Sequence, residues 1–183
     1  MVGKVEEIKF GLMKYIIFTI LFFACLKISC QEVIKTDDII FDDGNAYNKI
    51  TNKIFTGIAQ VKNKKDHIKF EEFYTNGRLT KTLLYFNISE KQIVCDEIII
   101  NPETGKKSKH IGYSSNGKKF WITNFDENQN KKDFSVYENE ILTLRQEYNN
   151  KKKHGKWFSI DKKGQKCEME YDNGKIIKEC LCK

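Results

Sequence analysis

From about residue 44 onward, apolar and polar residues alternate in short runs rich in β-branched and aromatic side chains. Each run stops at a turn signal. The signals are Thr75-Asn76-Gly77-Arg78, Asn101-Pro102-Glu103-Thr104-Gly105, Ser115-Asn116-Gly117-Lys118, Asp161-Lys162-Lys163-Gly164 and Asp172-Asn173-Gly174-Lys175. Asn149-Asn150-Lys151 holds a matching place, because Asn tolerates the left-handed conformation at modest cost. No later stretch of ten or more residues shows a 3.6-residue period. The pattern predicts an all-β chain of short antiparallel strands joined by tight turns. Counting back from Asn76-Gly77 sets Tyr74 opposite Leu79, Glu72 opposite Lys81, Phe70 opposite Leu83 and Ile68 opposite Tyr85.

The aromatics Phe125, Tyr148 and Tyr171 recur every 23 residues. A turn position lies nine residues before each, at Asn116, Asn139 and Lys162, and Asn76 and Tyr85 keep the same offset. The expected architecture is an elongated antiparallel meander of stacked β-hairpin repeats over residues 44–183. Residues 31–43 read as a linker.

Tyr148-Asn-Asn-Lys-Lys-Lys-His-Gly-Lys-Trp157 and Tyr171-Asp-Asn-Gly-Lys175 resemble MORN repeat variants. Phe55-Thr56-Gly57 after Tyr47 is similar to the opening of the bacterial YwqK-type proteins built from such repeats. The resemblance covers roughly residues 44–178. The chain departs from the pattern at Lys151 and Glu140, which stand where the motif has Gly. The resemblance implies hairpins side by side in one extended sheet and no catalytic residues. It also brings the label of an antitoxin component, which an exported chain fits badly.

Tyr15 to Leu26 is an uncharged apolar run of 12 residues preceded by Lys14. A spanning helix needs about 20 such residues, so the run fits the core of a secretion signal over residues 1–30. Met13 is a candidate true start. Cys30 and Cys25 each follow a small residue and are candidate lipid-anchor sites. Plain cleavage near Cys30-Gln31 is the alternative. The expected location is the periplasm, the outer membrane as a lipoprotein, or the extracellular space.

Export changes how the cysteines read, since thiols pair in oxidising compartments. Four of the six cysteines lie beyond residue 30: Cys95, Cys167, Cys180 and Cys182. Counting from Asn173-Gly174 sets Tyr171 opposite Ile176, Met169 opposite Lys178 and Cys167 opposite Cys180. This predicts a Cys167–Cys180 disulfide, with Cys182 as the competing partner. Zinc at Cys180-x-Cys182 is the other reading, though no second ligand pair has suitable spacing.

The net charge of +7 is uneven. Residues 31–104 carry 10 basic and 12 acidic side chains, and residues 105–183 carry 18 and 11. The basic half makes Lys151, Lys152, Lys153, Lys156 and Trp157 the candidate interaction face for a protein partner or a membrane surface. Interleaved acids argue against nucleic acid. The histidines His67, His110 and His154 have no acid or thiol at metal-ligand spacing. Asp126-Glu-Asn-Gln-Asn130 imitates the start of a calcium loop but continues to Lys131 and Tyr137 where Gly and Glu are needed. With no phosphate loop and no nucleophile–base pattern, the sequence predicts no enzyme, cofactor, metal or small-molecule substrate.

Overall fold

The computed structural model of the protein describes residues 31–88 and 91–179. The signal run and both lipid-anchor candidates, Cys25 and Cys30, lie outside them, as do Cys180 and Cys182. The described chain is almost all strand, and its one helical element is a 3-10 turn at Thr36–Asp38. The strands are β1 (Glu32–Lys35), β2 (Ile39–Asp42), β3 (Asn45–Asn48), β4 (Lys53–Ile54), β5 (Gly57–Lys62), β6 (Ile68–Thr75), β7 (Arg78–Tyr85), β8 (Val94–Ile100), β9 (Lys107–Tyr113), β10 (Lys119–Phe125), β11 (Lys131–Glu138), β12 (Ile141–Asn149), β13 (Lys152–Ile160), β14 (Lys166–Asp172) and β15 (Lys175–Lys178).

Twelve strands form one sheet in the order β1-β5-β6 through β15, so from β5 onward sequence order is spatial order. At about 4.8 Å per strand the sheet runs about 50 Å across. All of its pairs are antiparallel except β1–β5, which is parallel. The stretch 31–43, expected as a linker, is instead the edge strand β1, the 3-10 turn and β2. Local counting misses this because β1 pairs with a strand more than twenty residues away.

Strands β2, β3 and β4 make a second sheet. Its inner side covers one end of the long sheet, and there the compact core lies. Ala46, Phe55, Ala59 and Tyr74 are buried, with Ile34, Ile39 and Leu79 packed around them. The β6–β7 turn is locked in by a closed set of backbone hydrogen bonds. Ala46 N–H donates to the Gly77 carbonyl (2.9 Å), Gly77 N–H to that of Phe55 (2.8 Å), and Phe55 N–H to that of Ala46 (2.9 Å). Elsewhere the sheet is a single layer whose residues are mostly half-buried on both faces.

The turns are of two kinds. Asp43-Gly44, Asn76-Gly77, Asn139-Glu140, Asn150-Lys151 and Asn173-Gly174 are two-residue turns with both central residues at positive φ. Longer loops include four in which the first residue's N–H bonds the last residue's carbonyl: Asn63–His67, Ser114–Lys118, Asp126–Asn130 and Asp161–Gln165. In three of them an Asn or Asp side chain at the first position accepts the amides two and four residues on: Asn63, Asp126 and Asp161. The calcium-like segment is therefore a turn.

The Asp126 turn predicts a pH effect. Desolvation raises the Asp126 pKa, but the amide donors of Asn130 and Asn128 and the charge of Lys106 together outweigh it and hold the carboxyl below its ordinary value. A depressed folded pKa contributes stability that is present above the unfolded value and lost as pH falls through the folded one. Amide exchange at Asn128 and Asn130, corrected for intrinsic rate, should speed up below about pH 4. The Asn63 loop, whose acceptor does not titrate, should show no such step.

Bulges move the registers read from the turns. Beside Asn76-Gly77, Tyr74 does face Leu79, but Thr80 is extra, so Phe73 faces Lys81, Glu72 faces Thr82 and Phe70 faces Leu84. The Lys81 ammonium lies 4.1 Å over the Phe73 ring instead of meeting Glu72. Thr143 is extra at the same offset from Asn139-Glu140, and Ile177 from Asn173-Gly174. The Thr80 and Thr143 hydroxyls donate to the carbonyls of Phe73 (3.0 Å) and Val136 (3.3 Å), so each bulge satisfies a backbone acceptor.

Candidate interaction surface

Strands β12 to β15 carry the side chains singled out for recognition. The turn at Asn150-Lys151 needs two successive positive φ values, 46° and 67°. It lies against the next turn on the same edge: Gly174 N–H donates to the Lys153 carbonyl (2.8 Å), and Asn149 Nδ2 to Asn173 Oδ1 (3.2 Å). The two tips thus have a fixed spacing, with Lys151, Lys152 and Lys175 exposed on them.

The five predicted contact residues do not form one face. Lys151 and Lys152 project from the tip. The Lys153 ammonium lies 4.6 Å over the Trp157 ring and 5.0 Å over that of Tyr171. Trp157 is 8% exposed, and its ring centroid is 5.2 Å from Tyr148 and 5.0 Å from Tyr171. Its indole N–H donates to the Glu147 carbonyl (2.7 Å). Trp157 is therefore a packing residue and offers no open ring to a ligand. Lys156 pairs with Glu170 in the register, one position from the Trp157–Met169 pair, so it leaves the opposite face. There Arg145, Glu147, Lys156, Phe158, Lys166 and Glu168 surround a shallow cavity of about 340 Å³.

Lysines over rings extend along the sheet. Lys107 lies 5.3 Å from the centroid of Phe125, and Lys131 lies 5.4 Å from Tyr148, much as Lys153 lies over Tyr171. Phe125, Tyr148 and Tyr171, near the ends of β10, β12 and β14, thus each carry a lysine over the ring, although only Tyr148 and Tyr171 flank Trp157 and only Tyr171 is buried. Along this row the cationic stems cover the rings.

Gly155 adjoins the bulge of β13, with φ at 66°. A Cβ there would overlap the Glu147 carboxylate, which also pairs with Arg145 (2.9 Å). His154 lies within β13, 3.5 Å from Asp172. His110 Nε2 lies 3.0 Å from Asp96, and its ring meets Trp121 edge-on at 4.6 Å. Sequence spacing hid both His–Asp pairs because the partners sit on neighbouring strands. Among the described residues no three His, Cys, Asp or Glu side chains gather to hold a metal ion.

Cys167 is disulfide-bonded. The bulge at Ile177 sets Glu170, not Met169, opposite Lys178, so the counted register does not carry on to residue 180. The expected partners Cys180 and Cys182 lie outside the described residues. Cys95 is a free thiol, and burial together with Asp96 pushes its pKa up. Burial, then the carboxylates of Glu72, Glu71 and Glu97, likewise raise the phenols of Tyr74, Tyr85 and Tyr113.

No family model matches this chain, and no curated protein matches it. Solved structures do match. One is described as the crystal structure of a GtfA/B complex bound to UDP and GlcNAc, at 12% identity and a TM-score of 0.42. The match covers 57% of this chain and 22% of that one. Likeness at this level carries no argument about function. What the described chain offers a partner is a one-layer sheet with solvated faces, an apolar cap at one end and a lysine-bearing pair of turns near the other.

Proposed function

We propose that the protein is an exported, non-enzymatic module of MORN-like hairpin repeats that binds or scaffolds protein partners in the bacterial envelope. The observation that supports this reading best is the pair of docked turns, which holds Lys151, Lys152 and Lys175 exposed on one edge. A partner with an acidic surface suits them, since rim charges speed encounter and set orientation. The lysine that recurs over Phe125, Tyr148 and Tyr171 favours the repeat reading. A disulfide at Cys167, with Cys180 as its proposed partner, suits an oxidising compartment.

The test separates charge from fold. Lys151→Glu with Lys152→Glu should leave the melting temperature unchanged and cut crosslinked partner recovery from envelopes about tenfold, a loss of about 1.4 kcal/mol. Recovery equal to wild type sinks the proposal. Lys153→Glu should instead lower the melting temperature, because that lysine covers two rings.

A second reading is a lipid-anchored peripheral protein, held through Cys30 or Cys25. One observation favours it: exposed apolar side chains gather on the small sheet, close to where the chain leaves residue 31. Mass spectrometry of the mature N-terminus decides it, and an unmodified end near residue 31 rejects it.

A further inference from the structure

We infer that the turn Lys49–Lys53, together with the outer side of the small sheet, is a lipid-contacting tip that rests on a bilayer surface. The inference builds on the lipid-anchored reading. Ile40, Tyr47 and Ile54 stand directly opposite one another across β2, β3 and β4, so they form one row on the same side of that sheet. The alternate positions Ile39 and Ala46 face the core, which leaves the row on the outer side. Ile40 and Ile54 are 39% and 54% exposed, and Ile50 at the turn is 78% exposed.

One buried side chain ties this tip to the point where the N-terminal segment joins the fold. Asn48 is 3% exposed. Its Oδ1 accepts the amides of Ile50 (2.8 Å) and Thr51 (3.2 Å), which shapes the turn. Its Nδ2 donates to Glu32 Oε1 at 2.6 Å. Glu32 lies six positions after Leu26, the last residue of the apolar run, and such a stretch reaches at most about 20 Å. A lipid attached at Cys30 would bring the membrane closer still. Any bilayer that holds the N-terminal segment is therefore within reach of this tip.

The chemistry of the tip suits lipid. Lys49 and Lys53 flank Ile50, and their long stems let the ammonium groups stay among headgroups while the isoleucine goes deeper. Tyr47 has the amphipathic ring that favours the bilayer interface. The acids Asp42 and Asp43 sit at the other turn of the small sheet, a strand length of about 13 Å from the tip, whereas Asp37 and Asp38 adjoin it, with the Lys49 N–H donating to the Asp38 carbonyl (2.8 Å), so the tip carries charges of both signs.

The experiment uses the full chain as processed in cells, carrying Ile50→Trp, on vesicles of phosphatidylcholine with a minor share of phosphatidylglycerol. Emission from the added indole should shift to shorter wavelength and be quenched when the acyl chains are brominated. Trp121 and Trp157, far along the long sheet, set the baseline. Adding Ile40→Ser and Ile54→Ser should abolish the quenching while anchored chain still sediments with vesicles. Anchored chain with an unquenched indole overturns the tip and spares the anchor. Chain with an unmodified N-terminus near residue 31 that still binds and is quenched supports the tip and rejects the anchor. Chain that does not bind vesicles overturns the tip, and so does lipid-independent self-association lost in Ile54→Ser, which would make a second copy the occupant.

Discussion

Trp157→Ala should cost about 3–5 kcal/mol and loosen one end of the molecule only. Trp157 fills the space between Tyr148 and Tyr171, lies under Lys153, and its N–H satisfies the Glu147 carbonyl. In a two-layer protein the opposing layer can settle into such a gap. Here, among the described residues, no second layer lies over these strands, so the lost ring admits water and the two tyrosines lose their common neighbour. Amide exchange should rise in β12 to β15 while β5 to β7 keep their protection. Trp157→Phe, which keeps a ring and loses the indole donor, should recover more than half of the loss. Equal loosening along the whole sheet would contradict this account.

Phe55→Ala should produce a loss of similar size, about 3–5 kcal/mol, at the other end. Phe55 is buried against Tyr74, with ring centroids 5.6 Å apart, and its backbone belongs to the closed set that holds the β6–β7 turn. The ring also fills the place a side chain at position 57 would take: a Cβ on Gly57 would lie 2.8 Å from it and overlap the Glu32 carbonyl. Truncating Phe55 should therefore free β2 to β4 and the parallel edge strand β1 first. Amide exchange in these segments and a lower melting temperature read the effect. An undisturbed β1 would show that its hold comes from elsewhere.

These two sites show what the chain discloses and what it conceals. The turns were legible because Asn-Gly pairs and the leading Asp of Asp126 and Asp161 act within five residues. The strands and their antiparallel order followed. Registers beyond the second pair were not legible, since Thr80, Thr143 and Ile177 look like ordinary strand residues and become extra only once paired. The small sheet was hidden for another reason. Its strands are two to four residues long, and β1 finds its partner beyond all of them. The recognition face was legible only in part. Three adjacent lysines read as one patch in the sequence, yet packing assigns Lys153 to the rings below it, and strand alternation sends Lys156 to the other side.

The order of the strands has a mechanical consequence. From β6 to β15 each strand pairs only with the strands beside it in the chain, so a pull on the far end meets one strand pair at a time. With the Cys167 disulfide reduced, the structure should come apart strand by strand from β15, in small steps, while the capped end stays closed. Force applied between that cap and β15 would then draw the protein out as a graded spacer rather than break it in a single event.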